Sequence, residues 1–143
     1  MKIFFVVLIG LSSFIYGDFN RENGVVTDSS TRLQWQDDYS DNAHDIKDVN
    51  WKEAIQYCEG LGLSSHNDWR LPSVNELSSL IDYSKTNPSI NPIFEYIGTL
   101  NYWSSTTLVS YSGEAFLISF HRGNQGSYFK SYSYYVRCVR SGK

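Results

Sequence analysis

Seven residues near the C-terminus, His121, Arg122, Tyr128, Lys130, Tyr132, Tyr134 and Tyr135, combine flat rings with cations and one titratable imidazole. Such rings stack on the apolar faces of sugars, and the cations pair with sulfate or carboxylate groups. The stretch therefore reads as a ligand-binding surface, although half-buried rings at a strand edge would carry the same residues. Five aspartates, Asp37, Asp38, Asp41, Asp45 and Asp48, make an oxygen-rich run of the kind that binds calcium. The run lacks the alternate-residue ligands, central glycine and terminal glutamate of a helix-loop-helix calcium site, so a solvated acidic loop is expected and no metal. His44, His66 and His121 share no spacing, and no pair of histidines lies one helical turn apart as a zinc site requires. No glycine-rich phosphate loop or nucleotide fingerprint occurs, and no nucleophile, base and orienting group are grouped. No catalysis, cofactor or nucleic-acid partner is expected.

Cys58 and Cys138 are the two cysteines. In an exported chain of this size they most simply form one disulfide; a catalytic thiol is the rival reading, but neither has a neighbouring histidine. Export is expected from the N-terminus. Lys2 is followed by an apolar run, Ile3 to Tyr16, of 14 residues ending at Gly17. That is short of the about 20 residues needed to cross a bilayer and reads as a secretory signal peptide over residues 1–17. The remaining residues, 18–143, suffice for one domain with a single core, and no repeat or linker divides them. Localisation is expected to be secreted or periplasmic, with no membrane span in the mature chain. Charge is uneven: Asp18 to Gly98 holds 14 acidic and 6 basic residues, whereas Thr99 to Lys143 holds 1 and 5. Either local drift along a weakly acidic chain or a basic, tyrosine-rich face explains this.

The elements that must position these groups can be read from local chemistry. Val25-Val26 and Leu33 to Trp35, separated by Asp28-Ser29-Ser30, predict a hairpin. Asn50 and Glu53 form a candidate capping box for a helix whose face is Trp51, Ala54, Ile55, Cys58 and Leu61, stopped by Gly60 or Gly62. A second box, Ser73 with Glu76, opens a helix burying Val74, Leu77, Leu80 and Ile81. Just ahead of it Arg70, flanked by Trp69 and Leu71, is expected against aromatic surface with Asp68 as its partner. Tyr83 to Leu100, with Pro88 and Pro92, predicts a long connection tacked down by Ile90, Ile93, Phe94 and Ile97. Strands are expected at Tyr102–Thr106, Ala115–His121, Tyr128–Ser131 and Tyr135–Arg140, with Phe116, Ile118 and Phe120 sharing a face. Helices early and an antiparallel meander late make an α+β domain.

Several of these segments, taken in order, resemble one known family. They are Val26-Thr27-Asp28, Thr31-Arg32-Leu33-Gln34-Trp35, Trp51 to Cys58, Asp68-Trp69-Arg70-Leu71-Pro72-Ser73 to Leu77, Tyr102-Trp103-Ser104-Ser105-Thr106 and Val136-Arg137-Cys138-Val139-Arg140. The match, from about Gly24 to Arg140, is to the C-terminal domain family of the Legionella collagen-like adhesin, formerly a domain of unknown function. The family usually has glycine where this chain has Arg32. The resemblance implies a C-type lectin-like fold, similar also to sulfatase-modifying factors, with Cys58 on the first helix tied to Cys138 on the final strand. It implies structural roles for Asp68, Trp69, Arg70, Ser73, Glu76 and Trp103. The cysteine-pair chemistry of the sulfatase-modifying enzymes is not carried over, because both cysteines are used in that closure. The Glu-Pro-Asn and Gln-Pro-Asp tripeptides of calcium-dependent lectins are absent. The founding adhesin binds sulfated polysaccharide, so a glycan or another envelope component is the implied partner. The founding domain is joined to a trimeric collagen-like stalk, and this chain has no Gly-X-Y repeat; an assembly subunit of an envelope complex is the alternative reading.

Overall fold

The computed structural model describes residues 18–142. The signal-peptide reading of residues 1–17 lies outside them. Strands β1 (Phe19–Glu22), β2 (Val25–Asp28) and β3 (Leu33–Gln36) form an antiparallel ribbon, joined at its far edge by the last strand, β9 (Val139–Ser141). A second sheet runs β4 (Asp48–Val49), β8 (Tyr134–Tyr135), β5 (Asn101–Thr107), β6 (Glu114–Ser119) and β7 (Asn124–Phe129). It is antiparallel except for the β5–β8 bridge at Tyr102 and Tyr135. Helix α1 (Trp51–Glu59) and the short α2 (Val74–Ser78) complete an α+β domain. Among the described residues no helix is long and apolar enough to cross a membrane.

Both capping boxes form. Asn50 Oδ1 accepts from the Glu53 amide at 3.0 Å and Ser73 Oγ from the Glu76 amide at 3.2 Å, while each glutamate returns to its cap's N–H. Gly60 ends α1 as expected. Helix α2 is shorter than its apolar spacing suggests. Ser78 Oγ donates to the Val74 carbonyl and Ser79 Oγ to that of Glu76, an alternative to continuing the ladder. Leu80 is nonetheless buried, carried inward by the turn that follows.

The core divides on the two faces of β6. Ala115 and Leu117, with Trp103 of β5, pack toward Ala54 and Cys58 of α1. Ile118 and Phe120, with Tyr102, pack toward Val74, Leu77, Ile90 and Phe94. Phe116, Ile118 and Phe120 share a face as expected, and the opposite face of the strand is buried as well, because helices cover both sides of the sheet. Each fully buried ring or branched chain contributes about 1.5–3 kcal/mol of burial. The last run, Tyr135–Arg140, is not one strand. It crosses between the sheets, giving β8 to one and β9 to the other. Cys58 and Cys138 form a disulfide with Cα atoms 5.5 Å apart, tying α1 to the residue just before β9.

Candidate functional site

Alternation along β5, β6 and β7 places Trp103, Leu117, Gly126 and Tyr128 on the α1 side of the sheet. Helix α1 covers only part of this side. Beyond it, Asn101, Leu117, Ser119, His121, Arg122, Asn124, Gly126 and Tyr128 line an open groove of ≈ 430 Å³. Gly126 makes its floor: an added Cβ would meet only Leu117 Cδ1, at 3.6 Å. A neighbouring hollow, sharing Asn101, is bounded by Asp48, Leu100, Ser133 and Tyr134.

The rings along this surface are braced. Tyr134 stands edge-on to buried Trp103 with centroids 5.0 Å apart, and Tyr128 meets Tyr134 at 5.6 Å and Tyr132 at 6.2 Å. Trp103 is held in turn by an Nε1 bond of 3.1 Å to the Val49 carbonyl. Burial, with Tyr128 and Tyr132 nearby, pushes the Tyr134 phenol above its ordinary value, so it remains a neutral donor. Lys130 Nζ lies 3.9 Å from the centre of the Trp51 ring and donates to Thr107 Oγ1 at 2.9 Å. The arrangement offers the exposed rings of Tyr128 and Tyr132, amide and hydroxyl groups, the exposed guanidinium of Arg122 and the imidazole of His121. That is chemistry for holding a polar, partly apolar ligand.

Of the seven candidates, His121, Arg122 and Tyr128 share the groove, Tyr134 and Tyr132 continue it, and Lys130 lies over Trp51 alongside. Tyr135 is not in the groove, though it borders the neighbouring hollow with Tyr134. One residue beyond Tyr134, it faces the opposite side and packs on Tyr102 at 5.4 Å. Asn101, Ser119 and Asn124 were not singled out from sequence; small polar residues in strands carry no signal until pairing brings them together.

The basic C-terminal half does not make a basic face. Arg137 is fully buried: it donates to Asp37 Oδ1 at 3.2 Å and to the carbonyls of Gln36 and Tyr96, and its guanidinium lies 4.5 Å from the Phe94 ring centre. Arg140 pairs with Asp68 at 2.6 Å and bonds Gln34. Asp68 is therefore not the partner of Arg70. Arg70 forms a two-pronged pair with Glu76, 2.7 Å on each arm, and its side chain is 44% exposed. Trp69 and Leu71 turn into the core, so Arg70, between them, points away. The arginine enclosed by aromatic rings is Arg137.

The acidic run also divides. Asp41, Asp45 and Asp48 are exposed, but Asp37 is fully buried and accepts from Arg21, Arg137 and the amides of Glu95 and Tyr96. It is an anchor for the long connection rather than part of a solvated loop. Among the described residues no group of three or more His, Cys, Asp or Glu could hold a metal ion.

The model of one protein family, described as the Lcl C-terminal domain, matches residues 24–140. The chain belongs to the Lcl C-terminal domain family. No curated protein matches it. In this Lcl C-terminal domain the match opens at Gly24, whose φ of +73° and contact with Asp38, 2.5 Å from where a Cβ would sit, leave no room for a side chain. It closes at Arg140, paired to Asp68. The segments carrying the resemblance supply Trp35, Trp69, Trp103, Cys58, Arg137 and Cys138, which are buried. They build the domain and leave the surface of β7 and the turn after it outside the shared motifs.

Proposed function

We propose that this chain is a non-catalytic, adhesin-like binding domain of the bacterial envelope, secreted or periplasmic, that recognises a glycan on the Tyr128–Tyr134 face. The observation that carries this reading is exposed Tyr128 braced on half-buried Tyr134 beside a groove lined by Asn101, Ser119, Asn124 and Arg122. Rings supply stacking on sugar faces, and amides and hydroxyls match sugar hydroxyls. A C-type lectin-like architecture is part of the proposal and is supported by the disulfide between the first helix and the end of the chain. The disulfide also supports export to an oxidising space.

With Arg137 and Arg140 spent internally and Lys130 engaged by Trp51, stacking outweighs charge on this face. Binding to sulfated and desulfated polysaccharides at two salt concentrations tests this. Retention is expected on both, weakened only modestly by salt. Tyr128→Ala and Tyr134→Ala each remove a stacking contact worth on the order of 1 kcal/mol, about fivefold in affinity. Arg122→Gln abolishes only the salt-sensitive part. No retention of any glycan at low salt sinks the proposal.

A further inference from the structure

We infer that strand β7 pairs, antiparallel and about a two-fold axis, with β7 of a second copy of this chain. Strand β7 is the end strand of its sheet. Lys130 N donates to the Gly113 carbonyl at 2.9 Å, which sets the alternation of the β6–β7 ladder. By that alternation Asn124, Gly126 and Tyr128 bond inward to β6, and the backbone groups of Gln125, Ser127 and Phe129 point outward. Among the described residues the outward groups find one backbone partner, the Tyr132 amide on the Phe129 carbonyl.

Other edges of the fold are protected in ways that β7 is not. Strand β1 carries Arg21 and Glu22, β4 is two residues long, and the outer side of β9 is closed by reciprocal bonds between Arg70 and Val139 of 2.9 and 2.8 Å. Strand β7, Asn-Gln-Gly-Ser-Tyr-Phe, has six residues and neither charge nor proline. Such an edge is a template for another strand.

The occupant follows from self-complementarity. Centred on Ser127, the two-fold pairing sets Ser127 against its own copy and Gln125 against Phe129 of the second copy, engaging the outward groups of both strands apart from the Phe129 carbonyl, which the Tyr132 amide already holds. The intervening positions then place Tyr128 opposite Gly126 of the second copy, in both directions, so that no two bulky side chains oppose each other there. Lys130 faces Asn124. The register slipped to pair Gln125 with Ser127 instead brings Arg122 opposite Lys130 and is disfavoured by like charge. Because the axis is perpendicular to the sheet, the ring-lined grooves of the two copies lie side by side on one face. One strand pair with its rings falls at the small end of interface sizes, so the association is weak and concentration-dependent. A repetitive ligand spanning both grooves gains avidity from it.

Sedimentation velocity of the full chain, purified oxidised, is measured from micromolar to millimolar concentration, alongside Gln125→Lys and Ser127→Pro. The weight-average mass is expected to rise toward a doubling for the natural chain and to stay monomeric for both variants, at unchanged melting temperature for Gln125→Lys and at a lower one for Ser127→Pro, which also loses the Ser127 Oγ bond to Glu114. Amide exchange at Ser127 and Phe129 slows with concentration, while that at Asn124, Gly126 and Tyr128 does not; this readout stands if Ser127→Pro fails to fold. A mass that never rises, a trimer or larger assembly, or association that survives Gln125→Lys overturns the inference. None of these outcomes bears on glycan retention by the monomer.

Discussion

Asp37 and Arg137 lie 100 residues apart in the chain, and each side chain is fully buried beside the other. Desolvating two charges costs several kcal/mol, offset only because every oxygen of Asp37 and both terminal nitrogens of Arg137 find partners. Asp37→Asn leaves a buried cation uncompensated and is expected to cost about 3–5 kcal/mol, read as a lower urea midpoint with unchanged slope. A loss below about 1 kcal/mol would mean that the carbonyls of Gln36 and Tyr96 suffice for Arg137. Arg32 is a second local test. Its φ of +58° lies in the left-handed region, which glycine enters without steric cost. The backbone is held on both sides, by Arg32 N to the Asp28 carbonyl at 2.8 Å and Gly142 N to the Arg32 carbonyl at 2.7 Å. Arg32→Gly removes a steric cost of about 1–2 kcal/mol against an entropic cost of about 0.5–1, so a net gain of roughly 0.5–1 kcal/mol is expected. Neither Asp37 nor Arg137 announces its depth in sequence. A lone aspartate in an acidic run and an arginine beside a cysteine are coded alike whether wet or buried; the tryptophans and cysteines, which have few stable places other than the interior, were legible.

Elements set by neighbours in sequence were the ones most readable from it. The boxes at Asn50/Glu53 and Ser73/Glu76 involve residues three apart and form as expected. Nearness in sequence points Arg70 to Asp68, but the capping box folds Glu76 back to where Arg70 emerges and makes that carboxylate its partner. Strand β1 carried too little apolar alternation to be seen, and the final run was read as one strand because a crossing between sheets leaves no local mark. The Arg70–Glu76 pair makes a pH test. Its bonds to Arg70 first, and then to the Ser73 amide, hold the Glu76 carboxyl below its ordinary 4.5. A depressed folded value adds stability above the unfolded pKa and loses it as pH falls through the folded one. Glu76→Gln keeps a side chain able to cap Ser73 but drops the charge. Its deficit at neutral pH, on the order of 1 kcal/mol given the solvent around Arg70, should close as pH falls below 4.5. Parallel stability curves for the two proteins down to acid would assign the difference to packing instead.

For the whole molecule, the split between an acidic front and a basic rear is a record of internal pairing. Rear arginines cross the fold to meet front carboxylates, Arg137 with Asp37 and Arg140 with Asp68, so part of the charge segregated along the chain is paired in space. The disulfide lies in the same seam. Cys138 follows Arg137, its N–H donates to Gln36 Oε1 at 3.2 Å, and its carbonyl accepts from Gln36 N at 2.9 Å. Closing a loop of 80 residues is worth on the order of 4 kcal/mol by restricting the unfolded chain, a large share of the about 5–15 kcal/mol typical of a domain. The Cys58→Ala, Cys138→Ala chain should therefore unfold at markedly lower urea yet remain cooperative, since Tyr39 Oη on the Val136 carbonyl and the Asp37–Arg137 pair hold the same segment. Adding Asp37→Asn to that chain removes both restraints from one seam. Their costs together approach the whole stability, and the triple variant is expected to be largely unfolded at room temperature by circular dichroism, with β9 released from β3. If it stays folded with only the sum of two small losses, the rear segment is held by the core alone, and the seam of Gln36, Asp37, Arg137 and Cys138 is not what closes the domain.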